Sequence, residues 1–179
     1  MRKVHRKERY TIKDYYQWEG DWELIDGRPV ALASPGALHQ FVATYLAHMF
    51  ISQMDECPTN CFVATELDWI VDESNVLRPD ILVICGHKPD SEHIKITPNL
   101  VVEVVSAQSR PKDEIVKFQI YQRKQVPYYI LVYPEEKVVR IFEFREGKYE
   151  QVYEGSGQVA IQIGNCSVNL NLAKLFERI

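Results

Sequence analysis

Apolar positions change period several times along the chain, and each change predicts an element. Residues 81–85 (Ile-Leu-Val-Ile-Cys) and 100–105 (Leu-Val-Val-Glu-Val-Val) are short runs rich in β-branched residues, which favours strands over helices. Leu38, Val42, Tyr45, Leu46, Met49 and Phe50 recur at helical spacing and predict a long amphipathic helix from Pro35 to about Met54. Thr11 opens a short helix over 12–18, and Asp26-Gly27 predicts a tight hairpin within 22–30. Over 62–71, Val63, Thr65, Leu67, Trp69 and Val71 alternate with Glu66 and Asp68, as in one half-exposed strand. The turn at 72–75 leads on to the 81–85 strand, so three strands form an antiparallel meander.

After residue 106 the period becomes helical. Pro111, Asp113 and Glu114 suit a helix start, and the helix runs to about Lys124, before Pro127. Residues 128–132 form an apolar run of the kind buried on both sides of a sheet. A helix between that run and the 100–105 strand makes a crossover, so the two strands are expected to be parallel neighbours. The tail predicts a hairpin, 138–144 with 148–153, then a strand over 158–163 and a closing helix over 172–177. The expected architecture is a single α/β domain over 1–179: one mixed sheet flanked by helices, with a carboxy-terminal hairpin extension.

Each of the two central strands carries one acid. With antiparallel pairing about a loop centred near Ser91, Asp80 sits opposite Glu103, their Cβ atoms roughly 4.5–5.5 Å apart on one face. Burying two like charges together is unfavourable, and a divalent cation between them reverses the problem. Alternatively, each acid pairs with a basic side chain, or one keeps a proton. Lys117 and Tyr121 share a face of the following helix and could bring an amine to the same point. Lys117 could equally pair with Asp113 on a solvated helix surface.

Composition narrows the classes. The chain has 179 residues, 46% hydrophobic and 26% charged, with a net charge of −4, which argues against a general polyanion binder. Arg2, Lys3, Arg6, Lys7, Arg9 and Lys13 crowd the amino terminus, as a phosphate-touching arm or as a solvated end. No apolar run reaches the roughly 18 residues of a membrane span, and no signal peptide is evident. The four cysteines, at 57, 61, 85 and 166, read as unpaired residues of a reduced cytoplasmic protein.

The order Glu23-Leu24-Ile25-Asp26-Gly27, His39, Arg78-Pro79-Asp80, Glu103-Val104-Val105-Ser106, Asp113-x-x-x-Lys117-x-x-x-Tyr121 and Val126-Pro127-x-Tyr129 resembles the Uma2 family, within the PD-(D/E)XK nuclease superfamily. The likeness extends through Gly147-Lys148-Tyr149 to Leu175-Phe176. It implies a restriction-endonuclease-like fold in which Asp80 and Glu103 hold Mg²⁺ or Mn²⁺. It also implies Glu23 as a further acid of the site, with His39 and Tyr121 as substrate-contacting or supporting residues. The superfamily's usual lysine, two residues after the strand acid, is replaced by Val105; the family pattern moves that amine to Lys117.

The resulting expectation is a divalent-metal-dependent DNA endonuclease. Cutting both strands of a duplex calls for two sites, which points to a homodimer. The alternatives are a nucleic-acid-binding or regulatory protein that keeps the fold without cleaving, and a structural protein whose acids are paired or neutral.

Overall fold

The computed structural model describes residues 8–89 and 92–179. Arg2, Lys3, Arg6, Lys7 and the expected loop centre at Ser91 lie outside the described residues.

The chain opens with α1 (Ile12–Tyr15), then β1 (Trp22–Ile25) and β2 (Arg28–Ala31). Asp26 and Gly27 take positive φ, 48° and 74°, as a tight hairpin turn demands. Gly27 is also hemmed in, since a Cβ there would lie 3.1 Å from Arg9 Cβ. The long helix α2 (Ala37–Met54) is followed by β3 (Cys61–Thr65), β4 (Asp68–Asp72), β5 (Asn75–Leu77), β6 (Ile81–Cys85), β7 (His93–Ile94) and β8 (Leu100–Val104). A π-helical turn, Lys112–Lys117, runs into α3 (Phe118–Arg123). Then come β9 (Tyr128–Tyr133), β10 (Val138–Arg145), β11 (Lys148–Gly155), β12 (Gln158–Ile163), β13 (Cys166–Asn171) and α4 (Leu172–Phe176).

Among the described residues three sheets form instead of the one expected. The main sheet has the order β11-β10-β9-β8-β6-β3, a second has β2-β1-β5-β4-β7, and β12 pairs with β13 alone. The stretch 62–71 is therefore two strands in two sheets, broken at Glu66, whose φ is 52°. Alternation alone could not show the break, because the apolar period in the sequence continues across it. The expected antiparallel pairing of β6 with β8 and the parallel pairing of β8 with β9 are both present.

The main sheet is apolar on both faces. Ile81, Val83, Val102, Ile130 and Val132 pack against Val42, Leu46 and Phe50 of α2 and against the β12–β13 hairpin and α4. Leu82, Ile84, Val101, Val105 and Tyr129 face the other way, onto Ile120 and Tyr121 of α3 and onto Trp69 and Leu77 of the second sheet. By strand alternation Asp80 shares the face of Leu82, and Glu103 that of Val101. Both acids thus enter the space between the two sheets, under the crossover helix.

The cysteines overturn the expectation of unpaired thiols. Cys61 and Cys85, partners in the β3–β6 ladder, form a disulfide, and Cys57 is joined to Cys166. The second bridge spans a sequence separation of 109 residues, which no spacing rule could reveal.

Candidate functional site

Four elements converge on one cleft of about 660 Å³. The register Ile81↔Val102, continued by one residue, sets Asp80 against Glu103. Asp80 Oδ2 accepts a hydrogen bond of 2.6 Å from the Val104 amide and stands 3.2 Å from His39 Nε2, near the start of α2. The Asp80 hydrogen bond raises the basicity of the His39 imidazole above its ordinary value, against the effect of burial.

Glu103 is buried, as its place in a Val-Val-Glu-Val-Val strand requires. Its Oε1 accepts hydrogen bonds from Lys117 Nζ at 2.8 Å and Tyr121 Oη at 2.7 Å. Both donors come from the crossover helix, one helical turn apart. Burial pushes the Glu103 carboxyl well above the usual carboxylate range; Lys117 opposes the shift, and the charges of Asp113, Asp80 and Glu23 add to it. Lys117 itself is only 1% exposed. Burial works against its charge, but Glu103 and Glu23 outweigh that and hold the ammonium firmly protonated. Val105, at the position of the superfamily's usual lysine, packs among apolar side chains on the same side of the sheet.

Glu23 is not the surface strand residue that its sequence context alone suggests. It is fully buried, with Oε1 3.0 Å from the Arg78 amide and 2.7 Å from Lys117 Nζ, and Oε2 2.8 Å from Lys112 Nζ. Burial would raise its pKa; Lys117 and Lys112 overcome this and lower it. Arg78 in turn is held by Asp68 at 2.7 Å and Asp21 at 2.6 Å, so the Arg-Pro-Asp stretch ties the two sheets together at the cleft.

Asp113 was legible as a helix-start acid, and the structure puts it 2% exposed and lining the cleft. The alternative of a solvated Asp113–Lys117 pair fails, because both side chains are buried. The π-turn carrying them is pinned to β9 by Tyr129 Oη, which donates to the Asp113 carbonyl at 2.9 Å, and Tyr133 Oη, which donates to Glu114 Oε1 at 2.8 Å. Lys112 is the cleft residue with no distinguishing sequence signal; only the turn's geometry sends it to Glu23.

The donor set suits a hard divalent cation. Asp80, Glu103 and Asp113 line the cleft together with Lys112 and Lys117, and Glu23 is ion-paired to the two lysines; burial first, then the charges of Asp113, Asp80 and Glu23, raise the affinity of Glu103 for a proton. Among the described residues, no three His, Cys, Asp or Glu side chains form a ready cage.

The family model for Uma2, described as "Putative restriction endonuclease", matches residues 12–170. An uncharacterised protein of Synechocystis sp. is 28% identical over 114 residues, which is 61% of this chain and 60% of that protein, so the match spans about three fifths of that relative's length. The crystal structure of a "putative nuclease belonging to DUF820" from Anabaena variabilis is similar with a TM-score of 0.77, covering 93% of this chain and 97% of that one. At 15% identity that likeness establishes the fold alone, a mixed α/β arrangement shared by the two chains.

Proposed function

The chain belongs to the Uma2 family, and from that premise we propose that it is a Mg²⁺- or Mn²⁺-dependent endonuclease that hydrolyses phosphodiester bonds of DNA. The observation that carries this is the meeting of Asp80 and Glu103 on one face of the sheet, with the Lys117 ammonium 2.8 Å from Glu103 at the floor of an open cleft.

In this reading Asp80 and Glu103 hold the ion, which when bound polarises the scissile phosphate and eases ionisation of a water. Lys117 keeps a fixed positive charge beside the reacting phosphate, where a pre-oriented charge in a poorly hydrated site is worth most. Glu23 holds Lys117 and Lys112 in place, and its charge helps keep Lys117 protonated. Tyr121 fixes the rotamer of Glu103 through its 2.7 Å hydrogen bond, and His39 orients Asp80 from the rim. The π-turn delivers Lys117 from a backbone different from that of the acids, so Val105 is free to pack in the core.

The reading also places the protein as a homodimer, one cleft for each strand of a duplex, in the cytoplasm where DNA is accessible. Among the described residues no helix is long and apolar enough to cross a membrane. The two disulfides weigh against that compartment, where thiols are kept reduced.

The second reading, a DNA-binding protein that does not cleave, draws on one observation. Asp80 Oδ2, Glu103 Oε1 and both Glu23 oxygens already have protein donors. Supercoiled plasmid incubated with Mg²⁺, Mn²⁺ or EDTA separates the two. The nuclease predicts nicking that EDTA abolishes and that Asp80→Ala and Glu103→Ala each slow by about 100-fold or more. Salt-dependent binding with no nicking in either metal would favour the second reading.

A further inference from the structure

The acids of the cleft differ in what their oxygens already touch. Each Glu23 oxygen meets at least one donor, and Glu103 Oε1 and Asp80 Oδ2 each meet two. Asp113 is different. Its side chain is buried and lines the cleft, yet Oδ1 has no hydrogen-bond partner. Nor is the carboxylate free to swing out to bulk solvent. The π-turn that carries it is fastened to β9 through the Asp113 carbonyl and the Glu114 carboxylate. A buried acceptor left without a donor is unfavourable, and native structures rarely keep one without a use for it. Burial also raises the Asp113 carboxyl above its ordinary range, with Asp80 adding to the effect, while Lys117, a hydrogen bond from the Ser109 side chain and Lys112 oppose it; only Oδ1 is left without a donor.

The cleft that Asp113 lines is the nearest space from which a donor could reach Oδ1. Among the described residues, Lys117 and Lys112 point their ammonium groups at Glu103 and Glu23 and leave Asp113 Oδ1 without a partner. A directly shared ion is also disfavoured, since no three acidic or imidazole side chains among the described residues are grouped tightly enough for one. A water in the hydration shell of a cation meets both conditions: it donates a hydrogen bond, and it bridges the gap that the carboxylate does not close. Groups one layer out from a metal commonly set its affinity in this way.

Resting on the reading of the cleft as a divalent-cation site, we infer that Asp113 is a third acid of that site, whose Oδ1 accepts a hydrogen bond from the hydration shell of the ion held by Asp80 and Glu103. It is a positioning residue: it acts on the ion through water. Asp113→Asn keeps the size and shape of the side chain and removes its charge.

The test is Mn²⁺ binding to the DNA-free protein, followed by the electron paramagnetic resonance of the unbound ion. Wild type, Asp113→Asn and Asp80→Asn are compared, with melting temperatures recorded in EDTA. Asp113→Asn is expected to weaken Mn²⁺ binding by about 10- to 100-fold while melting in EDTA at or above the wild-type temperature. A purely structural acid would instead lower the melting temperature and leave the affinity alone. Wild-type affinity in Asp113→Asn, with loss in Asp80→Asn, overturns the role of Asp113 and leaves the cation site standing. Absence of Mn²⁺ binding by the wild type, or binding indifferent to Asp80→Asn, overturns the site itself and this inference with it. Should Asp113→Asn melt below the wild type, the same titration on Asp113→Ser decides: weakened binding supports the inference, and unchanged binding overturns it.

Discussion

A lysine shut away from water between two carboxylates is the residue on which the cleft turns. Lys117 stands 2.7 Å from Glu23 and 2.8 Å from Glu103, and it is the common counter-charge of both. Lys117→Met keeps most of the side-chain volume and leaves two buried acids facing each other. It is expected to cost about 3–5 kcal/mol of stability, measured by urea unfolding in EDTA, and to abolish nicking of plasmid. A cost under about 1 kcal/mol would mean that the acids are neutral in the folded protein. Tyr121→Phe removes one hydrogen bond to Glu103 and is expected to cost only about 1–2 kcal/mol in the same assay, while slowing cleavage more than its stability effect explains. At this scale the sequence was partly legible. The placement of Asp80 and Glu103 follows from a period of two and one turn. Glu23 was not legible as a buried group, because a single acid in a short strand looks the same whether it faces water or two lysines from another element.

Between residue and fold stand the turns that aim these side chains. The β4–β5 turn is held by Asp72, whose Oδ1 accepts from the Ser74 amide at 3.1 Å and from Asn75 Nδ2 at 2.8 Å, with Lys124 Nζ 3.2 Å from Oδ2. Burial would raise the Asp72 pKa; the hydrogen bonds from Asn75 and Ser74 and the Lys124 charge outweigh it, and the net shift is downward. A carboxyl depressed in the folded state stabilises the protein above its unfolded value, near 3.9, and loses that contribution as pH falls through the lower folded value. Asp72→Ala is therefore expected to cost about 1 kcal/mol at pH 7 and to unfold with wild-type stability at the acid extreme. A cost that does not change with pH would show that the turn is held by other contacts. Helix and strand identities here were readable from period and turn residues. The division of 62–71 between two sheets was not, because the apolar period in the sequence runs straight through Glu66, although Val63 and Trp69 end in different cores.

For the molecule as a whole, the bridges matter most to stability. Cys57–Cys166 ties the end of α2 to the carboxy-terminal hairpin, and Cys61–Cys85 staples the edge strand β3 to β6. Loops of 109 and 24 residues are each worth about 3–5 kcal/mol on chain-entropy grounds. Reduction with dithiothreitol is expected to lower the melting temperature by more than about 10 °C and to expose thiols that are unreactive in the native protein. Identical melting with and without reductant, or four reactive thiols in the untreated protein, would contradict the pairing. Long-range pairing of this kind leaves no trace in sequence spacing, whereas the parallel β8–β9 crossover was foreseeable from a helical segment between two apolar strands. The cleft exists because that crossover lays the π-turn over the acids of β8 and the start of β6. The most direct measurement of the central claim is an anomalous difference map from a crystal soaked in Mn²⁺. A single peak within bonding distance of the Asp80 and Glu103 carboxylates is predicted; a cleft without a peak, or a peak held by neither acid, would contradict the account.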